Sequence, residues 1–167
     1  LTLRDPVTGP FILGDGRYLG LGLMAPIKEP PAILAFAIDD QTADPAPLCR
    51  ALRRAVMHRV ADQLGKRSTH DLDPFFTGHE SDGRPQRPGD HRHLFFTAHA
   101  DRLLILAPYI VEHRQQKSFE KDRMSELDGA LLDLNRLRVG RKTWRLTPLP
   151  EVDEGDRLIG PAKAWQS

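Results

Sequence analysis

A chain of 167 residues, 40% of them apolar, holds enough nonpolar side chain for one packed domain with an appendage. Its 24 basic residues are matched by 23 acidic ones, a formal charge of +1, so a nucleic-acid site has to come from local clustering. The single cysteine, Cys49, excludes an internal disulfide framework and a multi-cysteine zinc site, and it suits a reducing compartment.

The chain starts at Leu1 and ends on Ala164-Trp165-Gln166-Ser167, and it reads as a piece of a longer protein. No apolar run approaches the roughly 20 residues that span a bilayer, and no signal-peptide pattern is present. The reading is a cytoplasmic protein with no membrane partner.

Residues 1–24 read as a short extended stretch over 1–4, a turn, and the glycine-rich segment 14–24. The glycines come as Gly14, Gly16, Gly20 and Gly22, without the long buried strand and following helix of a dinucleotide-binding unit. Two readings stand for this segment. In the plainer one Gly20 and Gly22 admit close backbone packing in a turn and strand. In the other, bare amides approach RNA phosphates while Arg17 adds charge and Tyr18 a stacking surface.

Pro26, Pro30 and Pro31 mark a boundary, and the apolar run 32–38 behind them predicts a buried strand. Asp44 ahead of Pro45 and Pro47 predicts a helix start, and Leu48, Leu52, Val56, Val60 and Leu64 recur every four residues up to Gly65. Cys49 lies in this pattern as a small core residue. The polar faces of the helix carry Arg50, Arg53, Arg54, His58 and Arg59, either an ordinary solvated surface or, for Arg50, Arg53 and Arg54, phosphate contacts.

Residues 66–92 read as one long loop, and loops beyond about 15 residues are usually functional or disordered. It contains His79 between Gly78 and Gly83, then Arg84, His91, Arg92 and His93 before an apolar strand. Segments 94–97 and 103–107, flanking Ala98-His99-Ala100-Asp101, predict a β-hairpin. Helical periodicity resumes over 118–138 through Phe119, Met124, Leu127, Leu131, Leu134 and Leu137, with Ser118 as cap and Gly140 as stop. Residues 142–146 alternate around Trp144 as an edge or half-buried strand does, with Trp144 more a core anchor than a stacking platform. From residue 32 the order is β-α-β-β-α-β, which predicts an α+β fold of the ferredoxin-like, split βαβ type. Both helices then cover one face of a four-stranded antiparallel sheet and leave the other free for a ligand. The tail from Pro148 is acidic, then extended.

Imidazoles exchange protons near neutrality and guanidinium groups neutralise anionic oxygens, so His79, His91 and His93 with Arg84 and Arg92 point to chemistry on a phosphodiester. The plainer reading of His79 is a loop ring hydrogen-bonded to Glu80 or Asp82. His91 and His93 would share one face of a strand, which also suits a zinc or manganese ion with Asp82 or Asp90. The cations Arg84, Arg87 and Arg92 weigh against that metal. His58, His70, His99 and His113 read as solvent-exposed.

Three segments carry a resemblance: Gly14-Asp15-Gly16-Arg17-Tyr18-Leu19-Gly20-Leu21-Gly22-Leu23-Met24, Thr77-Gly78-His79-Glu80-Ser81-Asp82-Gly83-Arg84-Pro85, and Asp90-His91-Arg92-His93. Together with the split βαβ order they resemble the RAMP superfamily of CRISPR-associated proteins, in particular the fused handle-binding and repeat-endoribonuclease subunit of type I-U (I-G) systems. The resemblance implies that 1–31 ends a preceding RAMP-like domain, 32–150 is the RNA-processing domain, and 151–167 begins a truncated further segment. It also implies a cofactor-free, metal-independent endoribonuclease that cleaves precursor crRNA with the RNA's own 2′-hydroxyl and keeps the crRNA handle. CRISPR repeat RNA and other subunits of a type I surveillance complex are the implied partners. The catalytic candidates are His79, with His91 and His93 as the alternative pair, and the candidate RNA contacts are Arg17, Tyr18, Arg84 and Arg92 together with Arg50, Arg53 and Arg54 of the helix face. Two alternatives stay open: a crRNA-binding subunit that does not cleave, and a His/Asp metal-dependent hydrolase.

Overall fold

The computed structural model describes residues 29–39, 44–80, 82–84, 92–99 and 101–150, together with the backbone of 11–13 and 22–24. Near the start, β1 (Phe11–Leu13) pairs antiparallel with β2 (Gly22–Met24), so the end of the glycine-rich segment is a strand. Arg17 and Tyr18 lie outside the described residues.

The predicted strand of 32–38 is β3 (Ile33–Ile38), and behind it α1 runs over Pro45–Gln63. Asp44 starts α1 by accepting a hydrogen bond from the Ala46 amide at 3.1 Å, and the prolines fit the first turn, where no intrahelical donor is needed. Gly65, at φ +62°, closes the helix in the left-handed conformation that glycine adopts without strain. The stripe Leu48, Leu52, Val56 and Val60 is buried, as the four-residue spacing predicts. Cys49 is half-buried, and burial pushes its thiol pKa up.

Within the expected long loop two short helical segments form. A 3₁₀ turn at Thr69–Asp71 is capped by Ser68, and a four-residue helix, α2 (Pro74–Thr77), is capped by Asp73, whose carboxylate accepts from the Phe75 amide at 2.9 Å. Leu72, Phe75 and Phe76 are buried and anchor this segment against the core, which is why it does not behave as open loop.

The hairpin is β4 (Phe95–His99) and β5 (Arg102–Leu106), followed by α3 (Pro108–Val111) and α4 (Ser118–Leu131). Here the structure departs from the expected helix over 118–138. Lys117, not Ser118, occupies the cap position, and Phe119 is exposed at 43%. Leu134 follows the helix, and Leu137 faces the core from a strand, β6 (Arg136–Val139). Gly140, at φ +60°, turns β6 into β7 (Lys142–Pro148) and does not stop a helix.

The fold is α+β, with a five-stranded antiparallel sheet in the order β4-β5-β3-β7-β6, one strand more than expected. One sheet face, with Phe36, Ile38, Leu103, Ile105, Trp144 and Leu146, packs into one core with α1 and α4. The opposite face is not free along its whole length: Ile33, Ala35, Leu104 and Leu106 are buried there, packed with Phe95, Ile110, Val111 and Leu149. Its other end is polar, because Ala37 stands opposite Arg102 on one side and Thr147 on the other.

A buried ion pair fixes the entry to α4. Glu120 is fully buried, accepts from Arg114 at 2.6 and 2.9 Å, and accepts from the Lys117 amide at 2.7 Å. Burial works against its charged form, but the Arg114 guanidinium and the Lys117 amide outweigh it and hold the carboxyl below its ordinary range. Arg114 has a second partner in Glu112, and its own pKa is pushed up by the hydrogen bonds to Glu120.

Candidate active site

Three separate chain segments meet at Gly78. The residue ends α2 at φ +72°, ψ +10°, with its amide bonded to the Pro74 carbonyl at 2.8 Å. From α1, Arg53 donates to the Thr77 carbonyl at the C-terminal end of α2, where a cation is favoured, and its guanidinium lies 6.0 Å from the centroid of the Phe96 ring. From the segment ahead of β4, His93 comes against the same turn and stacks on Phe95 with ring centroids 5.3 Å apart and planes at 15°. The Leu94 amide, bonded to the Phe75 carbonyl at 2.9 Å, fastens that segment to α2.

The closeness of this packing is measured by what a β-carbon at Gly78 would meet: Arg53 Nη2 at 3.2 Å and His93 Cγ and Cδ2 at 3.2 Å. Gly78→Ala is therefore expected to pay twice, once for the left-handed backbone, about 1 to 2 kcal/mol, and once by displacing Arg53 or His93. Thermal unfolding should fall by several degrees, and the imidazole resonances of His93 should shift. An unchanged spectrum and melting temperature would show that the turn tolerates the methyl group.

His79 follows directly. Its amide donates to Thr77 Oγ1 at 3.1 Å and its carbonyl accepts from the same hydroxyl at 3.2 Å, so Thr77, itself buried, pins the backbone while the imidazole is exposed. Beyond it the chain turns back, with the Glu80 amide on the Arg84 carbonyl at 2.7 Å and the Gly83 amide on the Glu80 carbonyl at 2.8 Å. Asp82 accepts from the Arg84 amide at 3.0 Å and pairs with its guanidinium at 3.5 Å.

The structure thus brings together Arg53, His93 and the turn that presents His79. It does not bring Arg50 and Arg54 into that contact; both are exposed on α1. Arg84 pairs with Asp82 on its own turn and is highly exposed, and Arg92 is exposed beside His93. His93 lies in a bend ahead of the strand and not within it, and His91 is outside the described residues, as is Asp90 of the metal reading. Among the described residues no three His, Cys, Asp or Glu side chains converge as a metal site needs. His58, His70 and His113 are exposed, as expected of them, and His99 ends β4 half-buried.

Thr77 and Phe96 escaped the sequence reading. Thr77 carries a local signal, a hydroxyl two residues before an amide that it can accept from. Phe96 carries none, since its role depends on where α1 passes. Comparison with family models, curated proteins and solved structures gave no match.

Proposed function

We propose that the chain is an endoribonuclease domain that cuts CRISPR repeat RNA without a metal ion and retains the handle of the product. The observation that carries this reading is the meeting of a guanidinium, Arg53, and an imidazole, His93, at the Gly78 turn from which His79 projects. Such a constellation suits 2′-hydroxyl attack on phosphorus. One imidazole accepts the hydroxyl proton, the 2′-oxygen bonds to phosphorus, and the P–O5′ bond breaks as a second group protonates the leaving oxygen. The products are a 2′,3′-cyclic phosphate and a 5′-hydroxyl. A guanidinium has five N–H donors, and Arg53 gives one nitrogen to Thr77, so donors remain for the equatorial oxygens of the transition state.

The finer fold reading supports the assignment. β3 and β4 run parallel with β5 between them and α1 as their crossover, while β5 and β7 run parallel with β3 between them and α4 as theirs. Two interlocked split βαβ units of this kind favour the ferredoxin-like reading that the resemblance to the RAMP superfamily implies, with β6 as an added outer strand. No helix among the described residues is long and apolar enough to cross a membrane.

A second reading, an RNA holder that does not cut, is favoured by the same packing, since Arg53 on Phe96 and His93 on Phe95 are both partly engaged by the protein. Labelled repeat RNA transcribed from the source genome's array, incubated with the chain in EDTA, separates the readings. Cleavage to a 2′,3′-cyclic phosphate, abolished by a single 2′-deoxy substitution at the cut site, is the expected result. Tight binding to intact RNA would support the holder, and activity lost in EDTA would support the metal-dependent hydrolase.

A further inference from the structure

The β6–β7 hairpin carries Arg136, Arg138, Arg141, Lys142 and Arg145 and, from 134 to 149, no carboxylate. In the register of the two strands Arg136 stands directly opposite Arg145, and Arg138 opposite Thr143. Opposite residues of an antiparallel pair share a face, so Arg136, Arg138, Thr143 and Arg145 all project to the side away from Leu137 and Trp144, which are buried. Like charges placed opposite each other destabilise a sheet. Among the described residues neither Arg136 nor Arg145 has an ion pair or hydrogen bond, so no direct carboxylate contact there offsets the repulsion.

Two plain explanations compete. A charged edge strand prevents sheets from joining edge to edge, and β6 is such an edge. That purpose is met by Arg136 and Arg138 alone; it asks for no arginine on the inner strand opposite them. Ordinary solvation accounts for single cations, but not for a cleft of about 820 Å³ that Arg136, Arg145, Asn135, Thr143 and Thr147 line together. Among the described residues Asp39 is the only carboxylate lining it.

We infer that this outer face of the hairpin is a binding surface for the phosphates of a single-stranded RNA, separate from the Gly78 turn. Guanidinium forks match phosphate oxygens in pairs, and hydroxyl and amide side chains supply the remaining donors that backbone contacts use. Arg136 and Arg138, two residues apart on a strand, are separated by about 6.6 Å, close to the step between successive phosphates of an extended strand. Trp144 lines the cleft but is buried, so among the described residues the surface presents no exposed ring for base stacking and is expected to follow the backbone without reading sequence. Thr147 continues it past Ala37 toward Arg102. That the polyanion is RNA rests on the proposed function; the surface itself rests on the hairpin.

The test is fluorescence anisotropy of the whole chain with a labelled single-stranded RNA made uncleavable by 2′-deoxy substitution at the cut site, titrated at several KCl concentrations. Arg136→Ala, Arg138→Ala and Arg145→Ala combined should lower the log–log salt slope by about 2, at roughly 0.7 per lost single-strand contact. Far-UV dichroism should be unchanged, since all three side chains are exposed. Removing the exposed cations Lys66 and Arg67 should leave the slope as it is. Equal losses in both variants, an unchanged slope in the triple variant, or displacement of RNA by polyglutamate at matched charge overturns the inference. A triple variant that keeps its slope in a chain that cuts RNA leaves the nuclease reading standing. A lost slope in a chain that never cuts keeps the surface and removes the nuclease.

Discussion

Replacing His79 with alanine is expected to slow cleavage of repeat RNA by about 10² to 10⁴-fold, the usual contribution of a positioned acid or base. Affinity for RNA should stay near wild type. The substitution is clean because the backbone at 79 is held by Thr77 through the amide and carbonyl, neither of which the side chain supplies. His93→Ala should slow cleavage comparably, but it also removes a ring stacked on Phe95, so its melting temperature has to be measured beside its rate. Single-turnover rates over pH 5 to 9 give the sharper reading, because losing a proton-transfer group removes one limb of the pH profile whereas losing a packing contact scales the whole curve. Normal cleavage by His79→Ala with inactive His93→Ala or His91→Ala would move the main role to the second histidine block. Normal cleavage by all three would remove histidine catalysis altogether.

Glu120→Ala is expected to produce the largest loss of stability. Breaking a buried ion pair from one side costs about 3 to 5 kcal/mol because the remaining charge is stranded. Arg114 is 23% exposed and keeps Glu112, which argues for the lower end of that range. At about 2 to 4 °C per kcal/mol for a chain of this size, the melting temperature should fall by roughly 10 °C. Adding Arg114→Met should recover much of the loss, since the stranded cation is then gone; no recovery would mean that Glu120 acts through the Lys117 amide alone. The pair also sets an acid limit. The folded-state pKa of Glu120 lies below the ordinary value of 4.5, so below that pH the unfolded chain binds the proton more readily. The stabilisation is complete above about pH 5 and is lost as pH falls through the folded pKa. Glu120→Gln should flatten that part of a stability-versus-pH curve.

Elements whose signals are local were legible in the sequence. Asp44, Pro45 and the four-residue stripe mark α1, and the apolar run behind Pro31 marks β3. The boundary between α4 and β6 was hidden because Leu131, Leu134 and Leu137 are spaced by three, a spacing that a helix face and a turn leading into a strand satisfy equally well. The Gly140-Arg141 turn was a readable hairpin signal, but a glycine after leucines also reads as a helix stop. Phe75 and Phe76 were obscured by their Gly- and His-rich neighbourhood. At the candidate site the sequence supplied His79, His93 and Arg53 as separate names, and only the packing of α1 against α2 and β4 brings Arg53 and His93 to the turn that presents His79.

One consequence concerns how firmly the site is held. A helix of four residues has no stability of its own, since nucleation costs more than its few hydrogen bonds return. α2 persists because Phe75 and Phe76 bury its side in the core, and arginines from the two long helices hold both of its ends. Arg123 of α4 bonds its cap residue Asp73 at 3.1 Å, and Arg53 of α1 holds the Thr77 carbonyl. The N-terminal side of the turn carrying His79 is thus tied to both long helices, and its amide exchange is expected to follow theirs more closely than that of an untethered surface loop.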